Sequence, residues 1–299
     1  MSGLVGAIEA GGTKFVCAVG TGPDDIRRET RFPTGDPGPT IDRAIEFFRT
    51  ATAELEPLGA VGIGSFGPLD LRPDSPTRGS ITATPKPNWS GTPFVDRVRG
   101  ALDVPVAFDT DVNAAALGEW RWGAGQGLDA VAYVTVGTGI GGGVVYEGRP
   151  LHGMLHPELG HLPMPRDPDV DPFAGVCPFH GDCLEGLASG PALEARWGTP
   201  GTELPSDHPA WELEAEYLAL GCLAIALTLA PQRIVLGGGV MEQRQLFPLV
   251  RRRFERALGG YLPGTPAADA DTYLVPPGLG ARAGLCGALA LGLRAITTT

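Results

Sequence analysis

The segment CPFHGDCLEG, Cys177 to Gly186, gathers two thiols, an imidazole and two carboxylates. Cys177, His180 and Cys183 are evenly spaced, and thiolate and imidazole are ligands that zinc takes four at a time, tetrahedrally, in structural sites. Upstream, HPELGH offers His156 and His161. We take His161 as the fourth ligand, with His156, Asp182 and Cys222 as its competitors. Two acids flank the set: Glu158 just before His161 and Glu185 just after Cys183. A metal gripping this segment would bring both carboxylates to the rim of one pocket. There they can accept hydrogen bonds from vicinal hydroxyls, as a sugar presents. Residues 162–182 are rich in proline and small residues, so they bury little. Metal binding, on the order of 10 kcal/mol in small zinc modules, would supply the missing order.

A second chemistry is written in glycine. GTGIGG matches G-x-G-x-x-G at Gly137, Gly139 and Gly142. A dinucleotide fold needs a helix directly after that fingerprint, and GVVYEGRPL reads as a strand and a turn, so a Rossmann site is rejected. A Walker A loop is rejected as well, because no Gly-Lys-Ser/Thr occurs. What remains is a hairpin turn whose backbone N–H groups converge on an anion. EAGGTK, at Glu9 to Lys14, is a second such turn, and two of them can clamp a polyphosphate from opposite sides. LGGGVM holds a third glycine turn, whose lack of side chains lets a flat base approach the backbone.

The third candidate is FDTDVNAAALG, which sets Asp109, Asp111 and Asn113 between a strand end and a helix. Capping the helix needs one of the three. A carboxylate beyond the carboxyl end of a strand is also where a ligand sits in an open α/β sheet, and it can take the proton of an attacking hydroxyl. Asp111 is the residue we assign to that role.

The elements that must position these groups follow from pattern. LVGAIEAGGTKFVCAVG reads as strand, turn, strand, and DAVAYVTVGTGIGGGVVYEGRP repeats it in the middle of the chain. Residues 40–56 have helical spacing closed by Pro57 and Gly59, and AVGIGSFGPLD is a buried strand running into a loop. Residues 72–93 read as loop. VPVAFDTDVNAAALGEWRWG reads as a short strand, an acidic loop and a helix. Helices are expected over 209–230, over 241–258 and from Ala281 onward, and RIVLGGGV is a strand entering a turn.

Bulk properties narrow the function class. The chain has 299 residues, 43% hydrophobic and 19% charged, enough for a sizeable core. Its formal net charge of −11 argues against a sequence-independent grip on nucleic acid or on an anionic membrane. Arg251 to Arg253 is the one basic cluster, read as a solvated helix face. The apolar run from Tyr217 to Ala230 is too short to span a bilayer, which takes about 20 residues. With no leader in MSGLVGAIEAGG and an odd count of 5 cysteines, a soluble, cytoplasmic protein with free thiols is expected. Cys17, Cys222 and Cys286 lie in apolar patterns and read as small core residues.

Together IEAGGTKF, TPKPNWSGTPF, DTDVNAAALGE, HPELGH and CPFHGDCLEGLASGPA resemble the ROK family of bacterial sugar kinases and sugar-responsive regulators, and within it the fructokinase branch. The resemblance runs along essentially the whole chain. It implies an α/β, actin-like (ribonuclease H-like) fold with two domains around a cleft. Residues 1–115 would form the smaller domain, with 281–299 packing back on it, and 116–280 the larger one with the zinc loop. It implies ATP-dependent phosphorylation of a hexose at its 6-hydroxyl, fructose first, with Mg²⁺, a structural Zn²⁺ and a homodimer. Glu9, Gly11, Gly12, Thr13, Lys14, Thr138 and Gly139 would hold the phosphates, and Gly237, Gly238 and Gly239 the adenosine. Asp111 would be the base, with Gly67, Asn88, Trp89, Asn113, Glu158, His161 and Glu185 around the sugar. Glu9 stands where many relatives carry Asp. His180 replaces a cysteine of the commoner family pattern. Both features are shared by the fructokinase branch.

Overall fold

The computed structural model describes residues 3–297. The chain opens with β1 (Val5–Ala10), β2 (Lys14–Gly22) and β3 (Asp25–Pro33), followed by α1 (Pro37–Glu54), β4 (Ala60–Ser65), α2 (Phe94–Leu102) and β5 (Val106–Thr110). The strands form one sheet in the order β3-β2-β1-β4-β5. β1 pairs antiparallel with β2 and parallel with β4. The strand β3 has no counterpart in the hydrophobic pattern: Arg27, Arg28 and Glu29 are exposed along it, as befits a charged sheet edge. α1 starts three residues before the expected position because Pro37 serves in its first turn, where no N–H is needed.

The second half begins with α3 (Asp111–Trp122) and continues through β6 (Ala130–Val136), β7 (Ile140–Tyr146) and β8 (Arg149–Pro150). Then come α4 (Leu184–Ala188), α5 (Gly190–Trp197), α6 (Ala210–Leu229), β9 (Arg233–Gly237), α7 (Leu246–Leu258), α8 (Ala270–Tyr273), β10 (Leu274–Val275) and α9 (Ala283–Thr297). Its sheet runs β10-β9-β6-β7-β8. Counted within each half, both sheets have the strand order 3-2-1-4-5, with the same antiparallel and parallel pairings. The repeated strand–turn–strand pattern is therefore one sign of a repeated sheet.

Two helices cross between the halves. α9 packs on β1, β2, β4 and β5 of the first sheet, whereas α3 packs on β6 and β7 of the second, and the two helices pack on each other. Their crossing is close because a side chain at Gly287 would lie 1.7 Å from the Ala114 carbonyl oxygen and one at Gly118 would lie 2.7 Å from that of Ala283. Only glycine permits that approach. Since α3 runs unbroken through position 115, the expected boundary there falls inside a helix. The acidic loop expected before it is also absent, because β5 passes directly into α3. α7 begins five residues after the expected 241, since Gly239–Glu242 forms a separate 3₁₀ turn.

Each sheet has its own core. Phe15, Phe48, Trp89 and Phe94 pack within the first, and Ile140, Leu187, Trp211 and Leu218 within the second. Among the described residues no helix is long and apolar enough to cross a membrane. All five cysteines are free and buried. The Arg251–Arg253 cluster is spent on neighbours: Arg251 on Asp271, Arg252 on Glu212, and Arg253 on Glu212 and Glu216.

Candidate active site

The β5–α3 junction carries the acid assigned as base. Thr110 caps the helix, its Oγ1 accepting the Asn113 N–H at 3.1 Å. That corrects the expectation that Asp109, Asp111 or Asn113 would cap, and it frees Asp111. Asp111 Oδ1 accepts the N–H of the next residue, Val112, at 2.9 Å. Burial pushes its carboxyl above the usual range. A base poised closer to neutrality transfers protons more effectively.

Asn113, expected beside the sugar, is fully buried and turned to the protein. Its Nδ2 donates to Asp109 Oδ1 at 2.8 Å, and its Oδ1 accepts the Val144 N–H at 3.3 Å. It welds the helix start to β7. Asp109 is buried as well, bonded through Oδ2 to His152 Nε2 at 2.9 Å.

The two glycine turns close short hairpins, between Ala10 and Phe15 and between Val136 and Ile140. In the first, Gly12, Thr13 and Lys14 are exposed and Gly11 is half-buried. Thr34 braces it, donating its hydroxyl to the Gly11 carbonyl at 2.7 Å and its N–H to that of Thr13 at 2.9 Å. The chain's two lysines meet here. Lys14 is in the turn, and Lys86 Nζ donates to the Thr34 carbonyl at 3.4 Å. In the second turn Thr138 is exposed, and the Ile140 N–H donates to Glu185 Oε2 at 3.0 Å. Glu185 thus ties the Cys177–Gly186 segment to this turn.

A cleft of about 750 Å³ lies at the first turn and holds Glu9, Lys14 and Asp111 on one side and Gly237 to Gly239 on the other. Gly238 has φ +91 and sits against the Val136 backbone, a conformation and a proximity that exclude any side chain. Burial, then the Asp111 charge, raises Glu9 to about 7. Two neighbouring carboxyls, both raised by burial, beside a polar cleft suit a hard divalent cation. Beyond Gly239 and Thr138 opens a hollow of about 340 Å³ walled by Pro191, Leu193, Trp211 and Val240.

The acids of the opening pattern also converge. Glu158 is raised by burial and then by the charges of Glu185 and Asp111. The short 3₁₀ turn Leu159–His161 follows it directly. His156, a competitor for the metal, is occupied elsewhere. Its Nε2 accepts the Leu69 N–H at 3.3 Å, and its Nδ1 donates to Glu158 Oε1 at 3.2 Å. It thereby holds the Gly67–Leu69 loop of the first half against an acid of the second. A side chain at Gly67 would lie 3.7 Å from the same imidazole.

His161, Cys177, His180 and Cys183 place their ligand atoms within 4.8 Å of one another. Sulfur-to-Nδ1 separations are 3.7, 3.7 and 3.6 Å. A tetrahedron with Zn–S of about 2.3 Å and Zn–N of about 2.05 Å has an S···N edge of about 3.6 Å, so the donor set fits a metal. Of the other competitors, Asp182 pairs with Arg166 and Cys222 is in the core. The loop has a second anchor that composition concealed: buried Asp171 accepts from Tyr217 at 2.6 Å and Arg196 at 3.2 Å.

Two expected sugar ligands are elsewhere. Trp89 is fully buried among Phe15, Phe66 and Phe94, its Nε1 donating to the Gly35 carbonyl at 2.9 Å. Asn88 donates to Asp36 at 2.9 Å and does not line the cleft. Glu119 went unnoticed in the sequence: fully buried, it accepts N–H groups from Ala124, Gly278 and Leu279 and so fixes the loop leading into α9 at the cleft wall.

The model of the ROK family matches residues 5–295. A fructokinase of Zymomonas mobilis is 44% identical over 98% of this chain and 97% of its own, and one of Pediococcus pentosaceus is 42% identical over 98% and 99%. Among solved structures, the ROK hexokinase of Thermus thermophilus superposes with a TM-score of 0.82 at 30% identity, covering 99% of this chain and 100% of its own. A ROK family glucokinase of Streptomyces griseus, in complex with glucose and AMPPNP, gives 0.75 at 27%, covering 98% and 100%.

Proposed function

The chain belongs to the ROK family, and from that premise we propose that it phosphorylates fructose at the 6-hydroxyl, with ATP as donor. The observation that carries this is the position of Asp111: a carboxyl raised by burial, at a helix start, in the cleft that the first glycine turn and Gly237–Gly239 share. The hexose lies between Asp111 and the pair Glu158 and Glu185, with the Gly67 loop and His161 at its rim. Asp111 accepts the hydroxyl proton as the bond to phosphorus forms. Backbone N–H groups of both turns, with Lys14, offset the charge on the transferred group. The apolar hollow beside Thr138 and Gly239 accommodates the adenine.

Mg²⁺ would be held near Glu9 and Asp111 and would neutralise phosphate charge. Zinc would be held by His161, Cys177, His180 and Cys183. Four protein ligands leave it no open position, so its part is to fix Glu158 and Glu185. We read the molecule as two domains, divided at the Thr110–Asp111 junction, with α9 returning to the first. We further read it as a cytoplasmic homodimer, consistent with free thiols and with exposed Met154, Val170 and Phe179.

The deciding measurement is ADP release with ATP, Mg²⁺ and a panel of fructose, glucose, mannose and N-acetylglucosamine. Fructose is expected to give the highest kcat/KM, by about tenfold or more over glucose, a discrimination that one misplaced hydroxyl can supply. Equal use of glucose would overturn the assignment of substrate, and no ADP release with any of them the assignment of activity.

A further inference from the structure

On the far side of β5 from the first glycine turn lies a cavity of about 730 Å³ that the phosphoryl-transfer reading leaves unused. It is walled by parts of both halves: the loop through Arg78, Arg99 at the end of α2, the edge strand β5, the segment from Arg149 to His152, and Arg294 on α9. Four guanidiniums therefore face one hollow in a chain of net charge −11. The acid among its lining residues, Asp109, is already engaged by His152 at 2.9 Å.

The state of the arginines is informative. Arg99 has an exposed carboxylate partner, Asp96, at 3.3 Å, and Arg294 donates to the Gly148 carbonyl. Arg78 and Arg149 have no acidic partner within 4 Å among the described residues. Burial and then the neighbouring Arg149 charge hold Arg294 below its usual range, whereas Asp109 acts the other way. Guanidinium groups present planar forks of donors matched to phosphate oxygens. The rest of the wall is apolar, with Leu71, Val95, Val106 and Leu291. A volume of this size and mixed lining suits an organic molecule carrying a phosphate rather than a bare ion.

We propose that this cavity is a second ligand site, separate from the catalytic cleft, that takes a small phosphorylated organic anion of the sugar-phosphate class. Arg78 and Arg149 hold the phosphate, and the apolar wall receives the organic part. The ligand would also lie beside the Asp109–His152 pair. Asp109 in turn bonds to Asn113, in the first turn of the helix that begins with Asp111.

The experiment is calorimetric binding of glucose 1-phosphate and, separately, of inorganic phosphate. It is done on the intact enzyme with fructose and AMPPNP held saturating, so that the catalytic cleft is filled. The same titrations are repeated on the double variant Arg78→Gln, Arg149→Gln. Both side chains are exposed and outside the catalytic machinery, so fructose turnover of the variant is expected to match the parent and shows that it folds. Expected is saturable glucose 1-phosphate binding that weakens at least tenfold in the variant, with inorganic phosphate binding more weakly. Absence of glucose 1-phosphate binding, binding indifferent to the two substitutions, or loss of binding when the cleft is filled would each overturn the site. Equal affinity for inorganic phosphate would overturn the organic part of the ligand. Because the readout is binding, failure here is distinguishable from failure of the kinase reading.

Discussion

Asp111 is the first residue of its helix, yet another side chain caps that helix. Thr110 takes the N–H that an Asp or Asn would otherwise have taken. Asn113 and Asp109 lock the junction from behind. The result is a carboxylate whose geometry is set by its neighbours and whose oxygens remain available. Replacement by Asn keeps the shape and removes the carboxylate that we propose as base. Asp111→Asn is expected to lower kcat by about 10²-fold or more with KM for fructose nearly unchanged. Steady-state kinetics check it, and turnover near that of the parent enzyme would remove Asp111 from the role. That Asp111 lines the cleft was legible in DTDVNAAALGE, because an acid beyond the carboxyl end of a strand sits where ligands bind. That Asn113 and Trp89 face inward was not legible. Polar and aromatic residues serve a core as readily as a ligand once their donors find partners, here Asp109 and the Gly35 carbonyl.

Among the elements, the Cys177–Cys183 segment and α6 make opposite demands. Residues 162–183 are anchored by buried Asp171, and the proposed metal at His161, Cys177, His180 and Cys183 would add to that order. Stripping the metal with a chelator is expected to lower Tm by at least about 5 °C and to raise KM for fructose more than KM for ATP. Thermal denaturation with metal analysis tests it, and an unchanged Tm after complete removal would rule out a structural metal. The helix α6 carries Glu214, fully buried, with both oxygens lacking a hydrogen-bond partner. Burial raises its carboxyl well above the usual 4.5. The folded chain therefore keeps this proton where the unfolded chain has released it. Stability from this group is full below about 4.5 and is lost as pH rises toward the folded value, by up to about 1.4 kcal/mol per pH unit. Glu214→Gln cannot titrate, so its Tm relative to the parent is expected to rise between pH 5 and pH 8. A difference that stays flat over that range would mean that Glu214 is ionised in the fold. Nothing in the helical spacing distinguished this Glu from a surface one.

As a whole, the molecule is two sheets of one topology facing each other across a cleft, with α3 and α9 crossing between them. His156 bridges the halves between Leu69 and Glu158. Ligands that touch both halves favour the closed arrangement, and closure keeps water from the phosphoryl group. Fructose with AMPPNP is expected to shrink the radius of gyration in small-angle scattering more than AMPPNP alone, and no change with both bound would argue against domain closure. The sequence by itself determined the class of the fold, the strand–turn–strand repeat, and the four Cys and His side chains and the acid Asp111 that we propose as metal ligands and base. These are local signals: strand period, glycine where only glycine fits, and donor types at fixed spacing. Only the tertiary structure decided the charged edge strand β3, the Thr110 cap, the three N–H groups held by Glu119 and the arginine-lined cavity beside β5. Each of these depends on groups distant in sequence or on a competition among neighbouring polar groups. Their burial and partners are set by packing, which no local pattern encodes.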